Sequence, residues 1–144
     1  MTLRYICDRC DLRAESSVGH HVCEAPSDRV IDESIAVALG YVDVRTDDED
    51  RLWARIPDAR PRAGREIRFP DSWAYSLDTG HRDLTPIALA RGYRFTLTQL
   101  GADEYRVSFF CNIDTLASTA IDTTPARAFA RAWLRLPTES EGGP

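Results

Sequence analysis

Cys7, Cys10, His20 and Cys23 are the residues whose types and spacing imply chemistry most directly. In YICDRCDLRAESSVGHHVC, the pairs Cys7-x-x-Cys10 and His20-x-x-Cys23 share a two-residue gap, with nine residues between them. Such a gap lets one tight turn present both side chains to one ion while backbone amides remain to bond the sulfurs. Two turns facing each other would supply three thiolates and one imidazole in a tetrahedral shell, which suits zinc. His21, spaced by one residue from Cys23, is the rival ligand. Four protein ligands leave no open position for water, so the expected zinc is structural. A redox Cys-x-x-Cys would follow a strand and open a helix, a context that CDRCDLRAESS lacks. The deaminase arrangement, His-x-Glu with a later Pro-Cys-x-x-Cys, is also missing from the sequence.

Other constellations are weaker. Arg127, Arg131 and Arg135 recur every four residues and form one stripe on a helix, while Arg60, Arg62, Arg65 and Arg68 crowd a loop. Both groups read first as solvated surface. The sharper reading makes Arg127 and Arg131 an anion site for a phosphorylated ligand, gripped by bidentate guanidinium contacts. His81 lies near Ser76, Asp78 and Asp83, but no Gly-x-Ser-x-Gly elbow surrounds a serine, so no catalytic residues are assigned. Trp73 and Tyr75 read as core or loop anchors, and Cys111 as a buried apolar thiol on a strand.

These side chains must be carried by a 144-residue chain, enough for one ordinary core with a small appendage. No apolar run reaches the roughly 18 residues of a membrane helix, and the start carries no apolar signal region. A cytoplasmic location, with reduced thiols, is the expectation. The net charge of -5 disfavours long nucleic acids and anionic lipid surfaces. All 18 basic residues are arginine, so Schiff-base chemistry and a P-loop lysine are excluded.

Residues 1 to 25 are too few to own a core and would need the metal as a staple. SDRVIDESIAVALG reads as a helix capped by Ser27 and ended by Gly40, with Ile31, Ile35, Ala38 and Leu39 on its apolar face. Two short strands, 41 to 45 and 51 to 56, flank the acidic hairpin loop TDDED, and residues 57 to 66 read as an exposed loop. Residues 84 to 92 predict a short helix capped by Thr85, with Pro86 at its first position. YRFTLTQL and YRVSFFCNI alternate in polarity and predict a hairpin through GADE, followed by a strand at 116 to 121. TPARAFARAWLRL is a helix capped by Thr124, with Pro125 first and Ala126, Phe129, Ala130, Trp133 and Leu134 buried.

The order IDESIAVALGY, YSLD, GYRFTLTQ with YRVSFF, and DTTPARAFARAWL resembles the phage ABA sandwich domain family over residues 31 to 135. The resemblance implies a phage or prophage origin and transfers no catalytic residues. The fold class expected is therefore α+β, a mainly antiparallel sheet packed by helices in an α/β/α sandwich. A zinc knuckle at 1–25 precedes the domain at 26–137, and a tail follows at 138–144. The function expected is that of an accessory protein of the host bacterial cytoplasm that binds a host protein or small anionic ligand, counter-defence included. A nucleic-acid-binding regulator built on the zinc module is the alternative, disfavoured because residues 1 to 25 carry three arginines against four acidic residues.

Overall fold

Residues 26–58, 60–112 and 115–137 are described by a computed structural model, together with the backbone of 4–6 and 13–15. Cys7, Cys10, His20, His21 and Cys23 lie outside the described residues. The strands β1 (Arg4–Ile6) and β2 (Arg13–Glu15) pair antiparallel, with Ile6 opposite Arg13. The rest is an α+β arrangement of three helices and two antiparallel three-stranded sheets.

Local signals place most elements. Helix α1 (Asp28–Ala38) starts where Ser27 Oγ accepts the Val30 N–H at 3.3 Å. It ends at Gly40, whose φ of 96° is one that residues with a Cβ rarely adopt. The first sheet follows as β3 (Val42–Thr46), β4 (Leu52–Arg55) and β5 (Glu66–Phe69), in that spatial order. Its acidic hairpin loop is stapled by one side chain. Asp47 accepts the N–H groups of Glu49 and Arg51, then Arg51 Nε and Trp53 Nε1, all at 2.8–2.9 Å. Strand β5 lies partly in what reads from sequence as an Arg-rich loop.

Helix α2 spans Leu77–Ala90 and corrects the expectation of a short helix opened by Thr85 and Pro86. Ser76 is the cap, its Oγ accepting the Thr79 N–H at 3.3 Å, and Pro86 sits inside the helix. Gly80, Leu84 and Ala88 line the buried face at four-residue spacing. A Cβ at Gly80 would meet Phe129 Cδ1 at 3.2 Å, so the glycine serves close helix packing rather than a turn. Tyr75, expected as an anchor, is 82% exposed, while Trp73 is buried at 3%.

The second sheet is β6 (Arg94–Gly101), β7 (Glu104–Phe110) and β8 (Leu116–Asp122), ordered 6-7-8. Strand β7 stops one residue before Cys111, which is exposed at the turn into β8 and not a buried strand thiol. Helix α3 (Pro125–Leu134) begins at Thr124, whose Oγ1 accepts the Arg127 N–H, with Pro125 first. It packs across β7 and β8 and against both α1 and α2, while α1 packs on β3 and β4. One core joins both sheets through the helices, including Ile31, Ile35, Trp73, Leu84, Val107, Phe109, Phe129 and Trp133. The expectation of one sheet with helices on both sides differs from this. There are two three-stranded sheets, and α3 lies over Val107 and Phe109 of β7 and alternate residues of β8, while α2 meets the same side of that sheet through His81 against Phe95.

Candidate functional site

The arginine stripe of α3 is interior. Arg131 is fully buried; its Nη1 donates to Asp122 Oδ2 at 3.0 Å and to the Ile121 carbonyl at 2.8 Å. Arg127 Nε donates to Asp122 Oδ1 at 2.9 Å, and its Nη groups reach Asp28 and the Pro26 carbonyl. Arg135 Nη1 donates to the Thr119 carbonyl at 2.7 Å. This corrects the reading of Arg127 and Arg131 as an anion site, and that of the stripe as a solvated face. Asp122, not singled out from sequence, is the shared acceptor. Burial by itself would raise its pKa. The hydrogen bond from Arg127, the Thr123 N–H, the Arg127 charge and the bond from Arg131 outweigh burial and hold the carboxyl below the ordinary range.

The signal that could have found this is the alanine pattern. In PARAFARAWL, Ala126, Ala128, Ala130 and Ala132 are all buried around the helix, leaving a cation between them no way to water. Only a buried acceptor makes such an arginine tolerable.

His81 does not assemble with Ser76, Asp78 and Asp83. Its ring lies 5.2 Å from that of Phe129 and 5.3 Å from that of Phe95, and Nδ1 is 3.0 Å from Thr85 Oγ1. Asp83 instead accepts Trp73 Nε1 and pairs with Arg82. Asp32, also missed, anchors the turn before α2 by accepting Ser72 Oγ at 2.6 Å and the Ala74 N–H at 2.9 Å. Desolvation raises its pKa despite those bonds.

Away from the helices, the far face of the β6–β7–β8 sheet carries exposed Arg94, Thr96, Thr98 and Arg106 around a buried Ser108, and no described helix lies over it. The register sets Arg94 opposite Phe110, Thr96 opposite Ser108 and Thr98 opposite Arg106 on one side; Ser108 Oγ in turn meets Thr119 Oγ1 at 3.1 Å. Phe95, Val107, Phe109 and Ala120 point the other way, into the core. At one end of the far face, Arg94, Phe95, Thr96, Phe110, Cys111 and Asn112 line an open groove of about 770 Å³. Leu116, opposite Phe110, is 53% exposed and extends the apolar part. The arrangement offers two exposed guanidinium groups, a row of hydroxyls and two large apolar side chains. It has the makings of a recognition surface. No protein-family profile matches this chain, and no curated protein is similar to it in sequence.

Among the described residues no helix is long and apolar enough to cross a membrane, and no group of His, Cys, Asp and Glu could hold a metal ion. The residues expected to bind zinc are outside that description. Residues 7 to 12, which contain Cys7 and Cys10, connect the paired strands β1 and β2.

Proposed function

We propose that this chain is a phage or prophage accessory protein that works by binding a host protein, with a structural zinc in its first 25 residues. The observation that carries the reading is the far face of the β6–β7–β8 sheet, where Arg94, Thr96, Thr98, Arg106 and Leu116 are exposed and no described helix packs. A mixed face of arginine, hydroxyl and aromatic side chains beside a groove is the composition that protein recognition uses. Because Arg127 and Arg131 are committed to Asp122 and neighbouring carbonyls, a phosphorylated ligand on α3 is set aside in favour of a protein partner on the sheet. The phage assignment rests on the ordered segments from IDESIAVALGY to DTTPARAFARAWL and their likeness to the phage ABA sandwich family.

Cys7, Cys10, His20 and Cys23 would hold the zinc. The two equal two-residue gaps support this, since each lets one tight turn present both side chains to one ion. The metal would supply cross-linking in a segment with little apolar surface of its own.

The test is affinity capture from host lysate with wild-type protein and two folded variants. Arg106→Glu with Phe110→Ala alters the far face, and Arg29→Ala alters exposed α1. A specific partner retained by the α1 variant and lost by the face variant is expected. A partner unaffected by the face variant, or no specific partner, would overturn the reading.

A further inference from the structure

The four outer strands of the two three-stranded sheets are guarded unequally. Strand β3 is broken by a bulge between Val42 and Arg45, with Asp43 at φ 52°. Strand β5 is four residues long and carries Glu66 and Arg68. On β8, Arg135 and Arg131 cap the carbonyls of Thr119 and Ile121, two positions apart and so on the same edge. Charges, bulges and covered edges are the devices by which proteins prevent strand addition. Among the described residues, strand β6 has none of them over most of its length. It runs eight residues, is exposed from Thr96 to Gly101, and FTLTQLG contains no charge and no proline.

The direction of its free backbone groups follows from the ladder. The capped carbonyls put Thr119 and Ile121 outward on β8, and the Cys111 N–H donates to the Thr115 carbonyl at 3.0 Å. Both facts turn Tyr105, Val107 and Phe109 toward β8, hence Arg106, Ser108 and Phe110 toward β6. The hydrogen-bonded partners on β6 are therefore Thr98, Thr96 and Arg94. The amides and carbonyls of Phe95, Leu97 and Gln99 face the open edge.

We infer that β6 is a self-pairing edge, joining a second copy of this chain antiparallel about a two-fold axis at Leu97 into one six-stranded sheet. The register is self-complementary. Phe95 meets Gln99 of the second copy, Leu97 meets its own counterpart, and about six N–H···O=C bonds form, two for each such pair. Every outward group of these three residues is then satisfied. Thr96 falls beside Thr98 of the second copy, a favourable cross-strand pair. Arg94 falls beside Leu100, so the strand's only charge does not meet itself. Leu97 and Leu100, 38% and 41% exposed, lose water contact on pairing. The far face stays open on both copies, so this inference holds or fails independently of the proposed host partner.

Sedimentation velocity of the whole chain, from about 1 μM to about 1 mM, tests it. Reversible dimerisation is expected, with the Leu97 amide gaining hydrogen-exchange protection as concentration rises. Leu97→Lys sets like charges on the axis and should weaken the dimer roughly tenfold or more. Leu97→Pro removes an outward donor that the β6–β7 ladder does not use, and should leave a folded monomer. A monomer at all concentrations would overturn the inference. So would a dimer that leaves the wild-type Leu97 amide unprotected, or one indifferent to both substitutions.

Discussion

Replacing Asp122 by alanine should be among the most damaging single changes on α3's side of the core. The Asp122 side chain is 2% exposed and that of Arg131 0%, so water cannot replace the lost carboxylate. Arg127, 13% exposed, loses the same partner, and the Thr123 N–H loses an acceptor at 2.6 Å. Removing one member of a buried ion pair costs about 3–5 kcal/mol because the other charge stays in a low-dielectric site. For a domain of this size that is a fall in Tm on the order of 12–20 °C. Asp122→Asn keeps an acceptor and should fall between the two. Arg131→Met added to Asp122→Ala removes the stranded charge and should recover part of the loss. Urea unfolding followed by circular dichroism measures all three. The sign with pH also follows. The folded carboxyl titrates below the ordinary 3.8, so its contribution is present above that value and is lost as pH falls through the lower, folded one. Wild type should weaken more steeply below about pH 4 than Asp122→Asn. An Asp122→Ala protein within about 1 kcal/mol of wild type would refute the claim that this carboxylate neutralises a buried guanidinium.

Further expectations concern three other places. Asp32 carries a raised pKa through desolvation, so its ionised form opposes folding once pH rises past the ordinary 3.8. Asp32→Asn should be neutral or stabilising at pH 7, and Asp32→Ala, which strips the Ser72 and Ala74 donors, destabilising, both read by thermal melts. Trp133 is buried at 6% and its Nε1 meets no acceptor among the described residues. Trp133→Ala should cost about 3–5 kcal/mol, whereas Trp133→Phe also removes an unsatisfied donor and should cost under about 1 kcal/mol by urea titration. Elemental analysis should find about one zinc per chain, lost in Cys10→Ser; strong chelation should leave hydrogen-exchange protection intact across β6 and β7.

Caps and alternation were the legible part of the fold. Ser27, Thr124-Pro125 and Gly40 mark helix ends through local hydrogen bonding and φ, properties that do not depend on distant residues. Helix α2 was read too short because Thr85-Pro86 has the local signature of a cap and first helical position, while here Pro86 is carried within a packed helix and Gly80 lets Phe129 approach. Strand β5 hid for a related reason: Glu66 and Arg68 look like loop residues, but a four-residue edge strand tolerates charge. The arginine stripe was legible in spacing and not in direction. A four-residue period says that Arg127, Arg131 and Arg135 share a side of α3; which side depends on Asp122 and on two strand carbonyls.

The guanidinium caps on β8 also set an order of events during synthesis. Strands β6, β7 and β8 leave the ribosome before α3, and until that helix docks the carbonyls of Thr119 and Ile121 have no Arg135 or Arg131 to cover them. The nascent sheet is then open on both outer strands at once, the state most exposed to pairing with neighbouring chains. Docking of ten residues of α3 closes one side of that sheet and buries its apolar face in the same step. A released chain ending before Pro125 would therefore be far stickier than the finished domain.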